Sequence, residues 1–175
     1  MRGLIAALAV SLALAGAANA EVKSAANGRL HLENRVLIAA PPAKVYEALG
    51  QVGSWWEPSH TYSGKAENMT MPLQPGACFC EALPGGGVKH GEVVLAWPGM
   101  MVRVLGAFGP MQEYGVEAAL TFTLKPTADG GTEVIQTYHA SGVPEALLPN
   151  AGMFDRVIGG QLGRFKTYVE TGKAG

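Results

Sequence analysis

His60 is the residue whose type and setting point most directly to chemistry. It lies in a polar loop after the tryptophan pair Trp55 and Trp56, and Tyr62 follows two residues later. An imidazole titrates near neutral pH, so such a histidine can act as a general acid or base. A single loop histidine is also typical of a solvated or capping residue, and the sequence leaves both interpretations open.

Cys78 and Cys80 are the only cysteines of the chain, and Phe79 separates them. In a strand their side chains project from the same face, but a bridge between residues i and i+2 would strain the preferred disulfide geometry. We favour two small hydrophobic wall residues, with a bridge, metal binding or redox chemistry as alternatives. A zinc or copper site would also need His60 and His90, and CxC is not the CxxC spacing of structural zinc. We therefore expect no metal and no cofactor.

Other reaction classes find little support in the sequence. His90 alternates with Glu92 at the start of a predicted strand, which is typical of an exposed face and favours a structural role. No GxSxG nucleophile motif occurs. Gly85-Gly86-Gly87 lacks the spacing and the following helix of a phosphate loop, so it predicts a hairpin turn. With 13 basic and 14 acidic residues, the chain has no basic excess for nucleic acid.

The N-terminus predicts export. Arg2 precedes an apolar run of about a dozen residues, and Ala18-Asn19-Ala20 has the small-x-small pattern of a cleavage site. We expect residues 1–20 to be a signal peptide, residues 21–28 a flexible lead, and residues 29–172 a single domain. The apolar run is shorter than the roughly 20 residues of a membrane-spanning helix, so no permanent anchor is expected after cleavage. The mature protein would then be periplasmic or secreted, in an oligomeric state that the sequence leaves open.

The elements that must position these residues follow from periodicity and turn signals. Alternating apolar residues predict a strand over 29–38, and Pro41-Pro42 predicts the start of a short helix over 43–49. A brief helical turn is predicted over 53–58, where Pro58 prevents its extension. Short apolar runs separated by Gly and Pro predict six more strands, over 67–73, 77–83, 89–97, 100–107, 116–125 and 132–141. Apolar residues spaced by three and four predict a long helix over about 150–170.

Five stretches, together with this order of elements, carry a family resemblance: WWEPSHTYSG at 55–64, CFCE at 78–81, HGEVV at 90–94, GAFGPMQ at 106–112 and QLGRFKTYVETG at 161–172. The chain resembles exported bacterial members of the SRPBCC superfamily, near the branch of polyketide cyclases and activators of heat-shock-protein ATPase. The resemblance implies an α+β, START-like helix-grip fold. In that fold a curved antiparallel sheet, here of seven strands, wraps around the long C-terminal helix, with two short helices after the first strand and an apolar cavity between sheet and helix.

The charged residues indicate which strand faces point into this cavity. Glu133 marks the outer face of its strand, which leaves Gln136 and Tyr138 pointing inward as polar groups that could orient a ligand. Partners in the neighbouring backbone or water are the alternative. Of the two tryptophans, we expect one to be buried and one to line the entrance. The candidate ligand-binding residues are Trp55, Trp56, Tyr62, Phe122, Gln136, Tyr138, Ile158 and Phe165.

The function predicted from the sequence is binding of a small molecule. We expect an exported, non-enzymatic protein that holds a hydrophobic or amphipathic ligand between sheet and helix. The first alternative is a cyclase-like or hydrolytic enzyme that uses the same cavity, with His60 or Tyr138 as acid or base. The second alternative is a protein-interaction module, which a solid core without a cavity would favour.

Overall fold

The protein folds as a single antiparallel sheet with a long helix packed on it. A computed structural model describes residues 19–175. The sheet has eight strands in the order β1-β2-β8-β7-β6-β5-β4-β3. Their bounds are β1 Asn19–Ala26, β2 Arg29–Ile38, β3 Met69–Thr70, β4 Cys78–Leu83, β5 Gly86–Trp97, β6 Met101–Leu105, β7 Glu117–Pro126 and β8 Thr132–Ser141. Two α-helices complete the fold, α1 Pro42–Leu49 and α2 Ala151–Thr171.

The central strands follow their hydrophobic alternation. In β7, Ala118, Leu120, Phe122 and Leu124 are buried on one face, and β8 buries Val134, Gln136 and Tyr138 on the same side. Pairing of β7 with β8 sets Phe122 opposite Gln136 and Leu120 opposite Tyr138. The predicted inward direction of Gln136 and Tyr138 is therefore confirmed by their burial. Period-two alternation suffices here because β7 and β8 lie inside the sheet, with one face covered.

Helix α2 covers this inner face with one apolar stripe. Ile158, Leu162, Phe165 and Val169 are buried and recur at spacings of four, three and four residues. The helix ends at Gly172, which adopts a left-handed conformation with φ +80° and donates its N–H to the carbonyl of Tyr168. Glycine has no Cβ to oppose that conformation, so this residue stops the helix cleanly.

The connection between β2 and β3 contains short 3₁₀ turns in place of one helical turn. The predicted turn over 53–58 is two turns, Val52–Ser54 and Pro58–His60. Proline at 58 restricts the preceding residue, Glu57, to extended backbone, which separates the two turns. Trp55 lies between them with its ring 5.1 Å from that of Phe165. This contact joins the connection to α2.

Two sequence predictions about the strands are wrong. The lead over 21–28 was expected to be flexible, but residues 21–26 belong to β1, which pairs antiparallel with β2 and brings the sheet to eight strands rather than seven. The strand expected over 67–73 is reduced to Met69–Thr70, preceded by a 3₁₀ turn over Ala66–Asn68. Pro72 has no N–H for a strand ladder, so the pairing stops before it.

The predicted signal peptide falls almost entirely outside the described residues. Its first 18 positions lie outside them, and the predicted cleavage point after Ala20 lies within β1. Signal peptide, cleavage and export therefore stay predictions. Among residues 19–175, no helix has the length and apolar character needed to cross a membrane.

Candidate functional site

A cavity of about 380 Å³ lies between the first turns of α2 and the sheet. Apolar side chains form most of its wall: Trp56, Phe108, Met111, Phe154, Val157 and Ile158. This volume is within the range of about 300 to 1,000 Å³ that is usual for small-molecule sites. The wall can therefore surround a ligand rather than only contact it.

The helix wall is set by the spacing of α2. Phe154, Val157 and Ile158 lie three and four residues apart, so they share one face in the first half of the helix. Leu162 and Phe165 continue the stripe, but both are fully buried against the core. The cavity thus lies between the first half of α2 and the sheet, while the second half of α2 packs against the core.

An aromatic cluster forms the opposite wall. The ring of Trp56 lies 5.4 Å from that of Phe79 in an edge-to-face arrangement. Phe108 lies 5.7 Å from Phe79 and 5.7 Å from Tyr138. Aromatic rings at such separations attract one another through their quadrupoles, with energies of about 0.5–1.5 kcal/mol per pair. These contacts hold the wall in a fixed shape before any ligand binds.

The loop over 57–63, here called the mouth loop, lies at the opening of the cavity and is tied to α2 by Gln161, which is buried. The backbone N–H of Glu57 donates to Gln161 Oε1 at 2.9 Å. Gln161 Nε2 lies 3.0 Å from His60 Nδ1. Glu57 also forms an ion pair with Arg164 at 3.0 Å. These bonds fix the position of His60 at the rim.

A histidine on the buried side of the cavity is held by a carboxylate behind it. Glu81, on β4, is almost fully buried, and its Oε2 lies 3.1 Å from Nε2 of His90 on β5. The backbone N–H groups of Tyr62 and Ser63 also donate to this carboxylate, the first at 3.0 Å. His90 is itself buried and lines the cavity. Glu81 therefore holds both the mouth loop and the histidine.

The ionisation of this pair follows from burial and hydrogen bonding. Burial alone would raise the pKa of Glu81, but hydrogen bonds from Ser63, Tyr62 and His90 lower it below its ordinary value. Burial lowers the pKa of His90, and the attraction of Glu81 only partly opposes this. The pair at neutral pH is a carboxylate beside a neutral imidazole.

Tyr138 is a proton donor in this setting. Burial raises the pKa of its phenol to about 12, and the backbone N–H of Phe108 opposes the rise only in part. The hydroxyl keeps its proton at neutral pH. This setting does not favour the role of base that the sequence allowed for Tyr138, since its phenolate is scarce at neutral pH.

Five of the candidate residues meet at the cavity: Trp56, His60, Tyr62, Tyr138 and Ile158. The other four, Trp55, Phe122, Gln136 and Phe165, are buried in the core and do not line it. Trp55 donates its indole N–H to the carbonyl of Ala48 at 3.1 Å, which anchors it in the core. Gln136 Oε1 has no hydrogen-bond partner among the described residues.

Sequence reasoning placed His90 on an exposed face, and this was wrong. The consecutive residues Phe79 and Cys80 of β4 pair with Gly91 and Lys89, so His90 is an extra residue that breaks the alternation of β5. Gly106 also lets the backbone approach, because a Cβ there would lie 2.2 Å from the His90 carbonyl oxygen. His90 and the following glycine are therefore buried together.

Glu81 was missed altogether as a site residue, although one signal was available. It lies two residues after Phe79 on the same strand, so the two side chains share a face. Phenylalanine predicts that this face is buried, and a buried carboxylate needs a partner. His90, in the next strand along the chain, satisfies that need.

The cysteines also differ from the favoured expectation of two separate wall residues. Cys78 and Cys80 are joined by a disulfide, with their Cα atoms 5.3 Å apart. Both project from one face of β4, and this separation is within the usual disulfide range of about 4.4–6.8 Å. Residues 19–175 contain no group of three His, Cys, Asp or Glu side chains placed to hold a metal ion.

A family model described as polyketide cyclase / dehydrase and lipid transport matches residues 29–170. The chain belongs to this family. The match spans nearly the whole predicted domain and, with the helix-grip architecture, confirms the SRPBCC resemblance drawn from the sequence. No curated protein matches the chain in sequence.

Solved structures share the fold of this polyketide cyclase / dehydrase and lipid transport family member. A conserved protein of unknown function, EF2215 from Enterococcus faecalis, is 15% identical, with TM-score 0.61 over 90% of this chain and 80% of its own. DynU16, from the dynemicin biosynthetic locus, is 22% identical, with TM-score 0.55 over 85% of this chain and 49% of its own. CalU16 from Micromonospora echinospora is 16% identical, with TM-score 0.53 over 87% of each chain. At these identities the likeness shows the fold alone.

Proposed function

We propose that this is an exported small-molecule-binding protein whose ligand is apolar or amphipathic and occupies the cavity between α2 and the sheet. The observation that carries the proposal is the cavity of about 380 Å³ with its apolar wall. The family description, which includes lipid transport, supports it. Export, to the periplasm or the medium, is proposed from the signal-like N-terminus.

The shape of the site favours a ligand over a protein partner. A partner protein docks on a surface, whereas here Trp56, Phe108 and Ile158 line a concave pocket. Each methylene group that a ligand moves from water into such a space contributes about 0.8 kcal/mol. The aromatic wall is already fixed by its own contacts, so little conformational entropy is lost on binding.

Calorimetric titration with 2-methoxynaphthalene, an uncharged apolar probe, tests this function. Val157 lines the cavity, whereas Val94 lies on the outer face of β5 and is exposed. Val157→Trp should fill the cavity and weaken probe binding at least tenfold, while Val94→Trp should leave it unchanged. The absence of binding to the wild-type protein, or equal binding to both variants, would contradict the proposal.

A second candidate is a cyclase-like enzyme that moves a proton in the same cavity, and the Glu81–His90 pair favours it. A neutral imidazole oriented by a carboxylate is a suitable general base. Deuterium uptake at the carbon next to the carbonyl of 2-tetralone in D₂O, followed by NMR, tests this candidate. The wild-type protein should accelerate uptake and Glu81→Gln should not. Equal uptake rates with the two proteins would contradict the enzyme candidate and leave ligand binding as the only proposed function.

A further inference from the structure

The two histidines of the cavity are held in the same tautomer by their partners, with the proton on Nε2, but the nitrogen left free is Nδ1 in His90 and Nε2 in His60. Glu81 Oε2 is a carboxylate oxygen and can only accept, so His90 must direct an Nε2–H toward it over 3.1 Å. A neutral imidazole carries one N–H, which leaves His90 Nδ1 as an acceptor. The pKa of His90, lowered by burial, keeps the ring neutral at neutral pH.

His90 Nδ1 is open to the cavity. It has no hydrogen-bond partner among residues 19–175, yet it is not one of the sealed, unpartnered polar atoms of that region. Its ring lines the cavity beside Tyr62, with ring centres 6.0 Å apart. Once an apolar ligand excludes water from the cavity, an acceptor without a partner costs about 1–3 kcal/mol, so a ligand group that donates a hydrogen bond to Nδ1 avoids that penalty.

His60 has the reverse arrangement at the rim. The Glu57 N–H donates to Gln161 Oε1, which identifies the other amide atom as the donor Nε2. That Nε2 faces His60 Nδ1 at 3.0 Å, so Nδ1 accepts and neutral His60 carries its proton on Nε2. One histidine therefore offers an acceptor to the cavity and the other offers a donor.

The charges around the cavity disfavour an anion. Among residues 19–175, no lysine or arginine lines the cavity, and the Glu81 carboxylate lies directly behind His90. A ligand carboxylate would lose its hydration and meet a lone pair on His90 Nδ1. A hydroxyl group loses less on desolvation and can donate to that nitrogen.

We propose that His90 Nδ1 accepts a hydrogen bond from a hydroxyl group of the ligand, so that the cavity selects uncharged apolar alcohols or phenols over the corresponding ethers and carboxylates. This inference rests on the proposed binding function. It assigns to Glu81 a positioning role, since Glu81 fixes which nitrogen of His90 faces the ligand.

Three probes of one ring size test the inference: 2-naphthol, 2-methoxynaphthalene and 2-naphthoate, titrated at pH 7.5. In Glu81→Gln the side-chain amide can donate to His90 Nε2, which transfers the ring proton to Nδ1 and turns it into a donor. The ratio of naphthol affinity to ether affinity should then fall about five- to tenfold relative to the wild type. Glu92→Gln, on the exposed part of β5, should leave the ratio unchanged.

An unchanged ratio in Glu81→Gln, or naphthoate binding as tightly as the ether, would overturn the inference while the proposed function survives. Failure of every probe to bind would instead overturn the proposed function. If Glu81→Gln does not fold, ¹⁵N NMR of the wild-type protein decides the question. His90 should be protonated on Nε2, and its Nδ1 signal should shift with 2-naphthol but not with the ether; a proton on Nδ1 in the free protein would refute the assignment.

Discussion

Replacing Glu81 by alanine removes a buried carboxylate that accepts three hydrogen bonds. Its partners are His90 Nε2 and the backbone N–H groups of Tyr62 and Ser63. The histidine donor is buried, so leaving it unpaired costs about 1–3 kcal/mol. The two backbone donors lie in the half-exposed mouth loop and can recover water, at about 0.5–1.5 kcal/mol each. The free energy of unfolding should fall by about 2–6 kcal/mol.

Urea denaturation at pH 7.5, with tryptophan fluorescence as the signal, measures this loss. The matched control is Glu92→Ala on the neighbouring strand, whose ion pair with Lys89 at 2.7 Å joins two exposed side chains. Such surface pairs contribute about 0–1 kcal/mol, so the control should be nearly as stable as the wild type. A Glu81→Ala protein within 1 kcal/mol of the control would refute the view that this carboxylate organises the cavity.

The remaining predictions concern the pH dependence of stability, the buried acid Asp155 and the packed second half of α2. Because burial lowers the pKa of His90, the unfolded chain binds that proton more readily than the folded protein does. The free energy of unfolding, measured by urea titration, should therefore decrease as the pH is lowered past about 6.5. His90→Gln should show a smaller decrease, and a wild-type profile that does not change with pH would contradict this. Burial raises the pKa of Asp155, so its ionised form destabilises the fold above about pH 3.9. Asp155→Asn should raise the free energy of unfolding at pH 7 but not at pH 3. A lower free energy of unfolding for this variant at pH 7 would contradict the prediction. Phe165→Ala should cost about 3–5 kcal/mol in the same assay, whereas the exposed Tyr114→Ala should stay within about 0.5 kcal/mol, and similar losses in both would be inconsistent with a packed core at Phe165.

The central sheet and the long helix could be predicted because their patterns are regular. Phe122 and Tyr138 alternate with polar residues on strands whose one face is covered, and Ile158 and Phe165 keep the helical spacing of one stripe. These patterns report burial directly. They also indicated correctly that helix and sheet meet, since each needs the apolar face of the other.

The polar side of the cavity could not be predicted because it depends on breaks in that regularity. An alternation rule places His90 on the same face as Glu92, two residues later, and so puts the histidine outside, but His90 is an extra residue of β5 in its pairing with β4 and turns inward. The strand β1 was missed for a different reason. Its residues after Ala20 are mostly polar or small, and it is held by backbone pairing with β2 at the sheet edge rather than by an apolar face.

The sequence also could not predict which of the core aromatic residues line the cavity. Trp55 and Trp56 are adjacent, yet Trp55 turns toward Phe165 in the core and Trp56 toward Phe79 at the cavity wall. The cavity occupies only the first half of α2, so Phe165 shares the stripe of Ile158 without reaching the space. Periodicity gives the face of a helix but not where along it the sheet curves away.

The occupancy of the cavity can be measured most directly by NMR of methyl groups in the presence of 2-methoxynaphthalene. We expect intermolecular nuclear Overhauser effects between the probe and the methyl groups of Met111 and Ile158, which line the cavity, and none to Leu124, which is buried elsewhere in the core. Effects confined to surface methyl groups such as those of Leu37, or none at saturating probe, would contradict it.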